Sequence, residues 1–326
     1  MTTSTSTGLA IDARGLVKHF GATRAVNGVD LAVPTGSVYG VLGPNGAGKT
    51  TLMKILTGYL HPSAGHATID GVDVVESSLE VQARIGYLPE NAPLYPDMLV
   101  QEYLFLIAEL RQLPPEKRVA MIGEAVEATG LSDYLLKPIG QLSKGFRQRV
   151  GLAQAIVHMP KVLILDEPTS GLDPNQIVEI RKLIAKLAKR ATVLLSTHIL
   201  SEVEASCERA LIIVDGELRA DARLDDLQTA DAAVVAVHES IKDAGEALVA
   251  LEGVTGVDVV EASHGLSAPF PAGFQGFRVI GGDDDLCPRI FDLAREKGWR
   301  LAELRRERRD LETVFREVVE HHGRVA

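Results

Sequence analysis

Residues 43–50 read Gly-Pro-Asn-Gly-Ala-Gly-Lys-Thr. The types and spacing suit one task, holding a chain of phosphates. Glycines free successive backbone N–H groups to face a single anion. Lys49 can reach the outer phosphates, and the Thr50 hydroxyl can ligate a divalent cation such as Mg²⁺. Gly43, Asn45, Gly46, Ala47, Gly48, Lys49, Thr50 and Thr51 are the candidate nucleotide-binding positions of this loop. A second acidic motif follows at Val162-Leu-Ile-Leu-Asp166-Glu167-Pro168. Four apolar residues predict a buried strand, and Asp166 at its C-terminal end stands where ligands bind in open parallel sheets. Asp166 is expected to hold Mg²⁺ through a water. Glu167 is expected to polarise an attacking water.

A third stretch, Gln-Leu-Ser143-Lys-Gly145-Phe-Arg-Gln148-Arg149, precedes an apolar-periodic run. Ser143 near an N-cap would leave helix N–H groups open to an anion. The chain already has a better phosphate loop, so this second one raises the question of which phosphate it serves.

The elements that must position these groups follow from periodicity. Strands are expected at 38–42, 83–88, 162–165, 192–196 and 210–214, and helices at 49–57, 147–158, 176–189 and 200–206. This alternation predicts an α/β domain with a mostly parallel sheet. Leu99, Tyr103, Leu106, Ile107 and Leu110 recur at helical spacing. With a helix at 115–129, they predict a helical insert at about 91–160. Beyond residue 216 the order becomes strand 232–238, helix 241–251, strands 257–261 and 276–280, helix 286–297, strand 300–304 and helix 310–319. That βαββαβ order is that of a ferredoxin-like α+β domain, with a loop at 263–275. The organisation expected is a disordered tail at 1–8, a nucleotide-binding domain at 9–221 and a smaller α+β domain at 222–326.

The 326 residues are 46% hydrophobic and 24% charged, ordinary for a protein with a sizeable core. The net charge of −10 argues against a general nucleic-acid binder. No apolar run nears the roughly 18–20 residues that span a bilayer, and the N-terminus lacks secretory features. A cytoplasmic chain is expected. Cys207 and Cys287 have no metal-ligand spacing and are expected to be buried, reduced thiols.

Residues 43–51, the Ser143 stretch, Asp166-Glu167, Ser170-Gly-Leu-Asp173 and His198 occur in an order and spacing that resembles an ABC-transporter nucleotide-binding subunit. The resemblance covers about residues 9–221. It implies a P-loop NTPase cassette with a mostly parallel sheet core, an antiparallel β subdomain and a helical insert. Phe20 then matches the aromatic that stacks on adenine, and Val26 is a further base contact. The resemblance implies that ATP is sandwiched between two head-to-tail cassettes. Ser143 and Gly145 would contact the nucleotide bound to the other subunit, and Asp173 would shape that site across the interface. His198 resembles the switch histidine that touches the γ-phosphate and the water. No role is assigned to His321 or His322.

Glu90 stands where the family usually has glutamine. A carboxylate can still ligate Mg²⁺. The Leu-Pro-Glu-Asn variant resembles exporter ATPases that include those of gliding-motility-type systems. Residues 299–303 and 308–315 resemble the tail of ATPases that serve ABC-2-type permeases. These resemblances imply an ATPase with ATP and Mg²⁺ as cofactors, a cassette dimer, and a permease on a separate chain that holds it at the inner face of the cell membrane. The alternative is a soluble ABC-type ATPase in translation or DNA maintenance. Those forms usually carry two cassettes or long coiled coils, and this chain has one cassette and no sustained heptads. A GTPase reading lacks an Asn-Lys-x-Asp motif.

Overall fold

The computed structural model describes residues 8–260, 270–281, 285–308 and 310–320. Expectations for the tail at 1–7, for residues 261 and 263–269, and for His321 and His322 fall outside the described residues. The chain divides into two compact units between Leu224 and Asp225.

Among the described residues ten strands occupy the first unit: β1 (Leu9–Phe20), β2 (Thr23–Pro34), β3 (Val38–Leu42), β4 (Ala64–Ile69), β5 (Val72–Asp73), β6 (Ile85–Leu88), β7 (Val162–Asp166), β8 (Thr192–Thr197), β9 (Arg209–Val214) and β10 (Glu217–Arg223). Six form one sheet in the order β10-β9-β3-β8-β7-β6. Its neighbours pair in parallel except β10 with β9. The other four form an antiparallel sheet, β2-β1-β4-β5.

β3, β7 and β8 are buried at every residue, which is why they read as short apolar runs, with the buried polar residues of β7 and β8 confined to the strand ends. Alternation then sorts their side chains into two cores. Leu163, Leu165, Val193 and Leu195 point into one core, packed by helices Val100–Leu110, Pro115–Thr129, Lys144–Ile156 and Pro174–Leu187. Val162, Ile164, Leu194 and Val41 point into the other, against helix Lys49–Leu56 and the antiparallel sheet. Each such buried side chain contributes about 1.5–3 kcal/mol. Truncating one, as in Leu163→Ala, costs about 2–5 kcal/mol.

Several boundaries move for local reasons. The strand expected at 83–88 begins at Ile85, because helix Ser78–Arg84 takes the preceding residues. The helix expected at 147–158 spans Lys144–Ile156, capped by Ser143, whose Oγ accepts from the Phe146 N–H at 3.3 Å. The helix expected at 176–189 is Pro174–Leu187, capped by Asp173. Pro115–Thr129 starts with proline in its first turn and ends at Gly130, φ 66°. Both cysteines are free and half-buried; burial pushes the Cys207 thiol up to about 12.

The second unit carries β11 (Thr229–His238), β12 (Val254–Val260), β13 (Phe274–Gly281) and β14 (Leu301–Arg308) in the antiparallel order β12-β13-β11-β14. Helices Ala244–Val249 and Leu286–Glu296 are the connections of a split βαβ pattern. Ala233, Val235, Val237 and Val279 face Leu248 and Ile290 in its core. The first helix is shorter than the expected 241–251. Helix Leu311–Glu320 turns Leu311 and Val314 inward. Among the described residues no helix is long and apolar enough to cross a membrane.

Candidate active site

The phosphate loop leaves β3 at Leu42 and enters helix Lys49–Leu56 without a side-chain cap. Two of its glycines are required by space. A Cβ at Gly43 would lie 2.3 Å from the Ile213 carbonyl oxygen, and one at Gly48, φ 102°, would lie 2.1 Å from that of Ala25. The first-turn N–H groups therefore stay open to an anion.

Lys49 is 6% exposed and folds back over the loop. Its Nζ donates to the carbonyl oxygens of Gly43 at 2.8 Å and Pro44 at 3.1 Å, and lies 3.4 Å from Glu167 Oε1. Asp166 ends β7 with no exposed surface. Its Oδ1 accepts from Ser196 Oγ at 2.5 Å and from Thr50 Oγ1 at 3.2 Å, while its Oδ2 is buried with no partner among the described residues. A buried acceptor left without a donor is costly, and a cation or its water would satisfy this one. Among the described residues, no cluster of three or more His, Cys, Asp or Glu could hold a metal. The donor set fits a hard cation such as Mg²⁺, bound through few protein oxygens with phosphate and water for the rest.

Glu167 sits in the left-handed region, φ 49°, a strain of roughly 1–3 kcal/mol for a non-glycine residue. Its N–H is anchored to Ser196, by Oγ at 3.0 Å and by the carbonyl oxygen at 3.1 Å. The β7–β8 register sets this up by pairing Asp166 with Ser196. His198 follows β8, and its Nδ1 lies 2.9 Å from Glu167 Oε2. Glu167 is thus bracketed by Lys49 on one oxygen and His198 on the other. Burial, then the Asp166 charge, hold the Tyr87 hydroxyl above its ordinary value.

These groups surround an open cavity of about 420 Å³. It brings together Asn45, Gly46, Ala47, Gly48, Lys49, Thr50, Thr51, Glu90, Glu167 and His198. Ala25 and Ser170 also line it; Ser170 opens the Ser170-Gly-Leu-Asp173 motif, and Ala25 is not singled out in the sequence. Ser196 was missed too, since its contacts with Asp166 and Glu167 depend on strand register. Phe20 does not line the cavity; it is exposed, with Lys18 Nζ 5.4 Å from its ring centroid. Val26 is fully buried in the core beneath the antiparallel sheet, so it offers no surface to a base, and its neighbour Ala25 faces the cavity instead.

Ser143, Gly145 and Asp173 lie away from that cavity. Ser143 and Gly145 border a separate cleft of about 90 Å³ with Gln176 and Arg149. Asp173 caps the same helix that carries Gln176, its Oδ1 accepting from the Gln176 N–H at 2.9 Å. A Cβ at Gly145 would meet the Gln176 side chain at 2.7 Å. Gln148 ties the two motifs, its Nε2 donating to the Pro168 carbonyl at 2.8 Å.

The family model described as "ABC transporter" matches residues 26–170. A second, described as "AAA domain, putative AbiEii toxin, Type IV TA system", matches residues 137–204. The daunorubicin resistance ATP-binding protein DrrA3 of Streptomyces coeruleorubidus is 38% identical over 263 residues, 80% of this chain and 83% of that protein. The bacitracin transport ATP-binding protein BcrA of Bacillus licheniformis is 39% identical over 215 residues, 65% of this chain and 69% of that protein. The solved dimeric structure of MJ0796, a bacterial ABC transporter cassette, aligns with a TM-score of 0.60 at 25% identity, covering 66% of this chain and 98% of that one. The phosphate loop, the Asp166-Glu167 pair and this extent of likeness lead to one assignment: the chain belongs to the ATP-binding proteins of ABC transporters and is an ATPase.

Proposed function

We propose that the chain is the ATPase subunit of an ABC-2-type exporter whose permease is a separate chain, with residues 9–221 as its cassette and 222–326 as an accessory domain. Two cassettes close head to tail on ATP, and the permease holds them at the inner face of the cell membrane. One observation carries the reading. Ser143 and Gly145 stand at an N-terminal helix end that does not border the cavity holding Lys49, Glu167 and His198. Each subunit thus offers a phosphate loop at one surface and an anion-ready helix end at another, two halves of different sites. The names of DrrA3 and BcrA add support, as drug-resistance and bacitracin-transport proteins respectively.

In the closed dimer Lys49 and the loop N–H groups hold the phosphates. Phe20 is the base contact of this reading. Thr50, Asp166 and Glu90 would hold Mg²⁺, which would supply charge neutralisation at the phosphates. Glu167 accepts the proton of the attacking water, and ATP and water become ADP and phosphate. His198 orients Glu167 and meets the γ-phosphate. Asp173 and Ser143 complete the site of the opposite subunit. Glu90 and residues 91–95 relay occupancy to the permease.

Size-exclusion chromatography of Glu167→Gln with ATP and Mg²⁺ tests the sandwich. A dimer is expected, and adding Ser143→Arg should disperse it. A dimer indifferent to Ser143→Arg contradicts the geometry.

A further inference from the structure

Helix Leu200–Ser206 buries a carboxylate, Glu202, at 3% exposure. No ion pair to it occurs among the described residues. Two hydroxyls from separate segments satisfy it instead. Thr169 Oγ1 donates to Oε1, and Thr197 Oγ1 donates to Oε2 at 2.7 Å. Thr197 Oγ1 in turn accepts from the Ile199 N–H at 3.1 Å. Taking a carboxylate out of water is expensive even when hydrogen-bonded. An uncharged side chain would fill the space at lower cost, so what sets the carboxylate apart is the pair of hydroxyls it joins.

What it joins are the two segments that carry the hydrolytic pair. Thr197 immediately precedes His198. Thr169 lies in the turn that leaves Glu167, where the Ser170 N–H bonds to the Glu167 carbonyl at 3.1 Å and the Leu172 N–H to that of Thr169 at 3.2 Å. That turn delivers the chain to Asp173. Gln148, from the helix that Ser143 caps, holds the same turn at Pro168.

We propose that Glu202 is a positioning residue for ATP hydrolysis. It clamps the Thr169 turn to Thr197, fixing His198 against Glu167 and fixing the path to Asp173 at the same time. Through Gln148 the clamp joins the Ser143 helix, so the element that meets one ATP is tied to the groups that cleave the other. The inference rests on the roles proposed above for Glu167 and His198.

Steady-state ATPase kinetics of the full chain test it, with thermal unfolding of each variant alongside. Glu202→Ala frees both hydroxyls, and a misplacement of about 1 Å can cost on the order of a hundredfold in rate. The expected result is a fall of that size in kcat with KM for ATP unchanged. Glu202→Gln keeps one acceptor oxygen and offers a donor to the other threonine, so its kcat should fall between the two. If Glu202→Ala does not fold, Thr169→Val and Thr197→Val decide. Each should lower kcat without changing KM, and the double variant should be no slower than the slower single one, because both act through one carboxylate. Wild-type kcat in a folded Glu202→Ala protein overturns the proposal. So do strictly multiplicative effects of the two valines, or losses confined to KM and melting temperature. Glu167→Gln serves as the reference. Loss of turnover there with none in Glu202→Ala removes the clamp alone, while full turnover in Glu167→Gln removes the underlying reading of the pair.

Discussion

His198 Nδ1 lies 2.9 Å from Glu167 Oε2, and the other Glu167 oxygen is 3.4 Å from Lys49 Nζ. Both contacts fall on a residue held in left-handed backbone by Ser196. The candidate base therefore has its direction set by protein contacts, and Lys49, the cation of the phosphate loop, is one of them.

Replacing Lys49 by alanine removes the cation from the loop and leaves Glu167 without its buried partner. Charge-assisted contacts of this kind are worth about 1.5–3 kcal/mol each. ATP affinity is expected to drop about 10- to 100-fold, measured by isothermal titration or a fluorescent ATP analogue. Wild-type affinity and turnover in Lys49→Ala are the outcome that removes the phosphate-loop assignment.

Glu90 lines the cavity and is exposed. Exchange for glutamine keeps an oxygen and removes a charge. ATP binding should survive, because Lys49 and the loop N–H groups supply most phosphate contacts. The Mg²⁺ dependence of turnover should shift, as should stimulation by the permease. Pro89, Pro93 and Pro96 stiffen the segment on either side, so displacement at Glu90 is carried along it. Superimposable ATPase curves for both forms in every condition place Glu90 outside the site.

A pH effect on stability is expected far from the chemistry. His158 Nε2 lies 2.8 Å from the Ile85 carbonyl oxygen, beside Arg111, whose Nη1 donates to the Gln82 carbonyl at 2.6 Å. Burial first, and Arg111 second, push His158 down to about 4. The unfolded chain, with an ordinary histidine near 6.5, binds the proton more tightly. Stability from this site is complete above pH 6.5 and is lost as pH falls towards 4, on the order of 3 kcal/mol. Denaturant unfolding of wild type and His158→Gln from pH 7 to 4 reads this directly. The wild type should lose more stability over that window, and equal losses contradict the assignment.

The parts of the site fixed by local chemistry were legible in the sequence. Gly43 to Thr51 announce their loop because only glycine tolerates the carbonyls beside Gly43 and Gly48. Helix Leu200–Ser206 ends where its pattern ends. The long antiparallel strands β1 and β2 did not stand out, because register shifts around Gly15 interrupt the alternation that betrays a strand. Val26 and Ala25 differ by one position on β2, and a single step decides which faces the cavity. Ser196 and Glu202 act on residues about thirty positions away, and no local pattern announces such contacts.

Glu167, braced by His198, is the group proposed to take the proton of the attacking water. The most direct measurement is the fate of bound nucleotide in Glu167→Gln, incubated with Mg²⁺ and ATP and then stripped of free nucleotide. An amide cannot accept the proton, and a positioned base contributes about 10²- to 10⁴-fold. The retained nucleotide should be recovered as ATP, with turnover reduced by that factor. Recovery as ADP at the wild-type rate would contradict it.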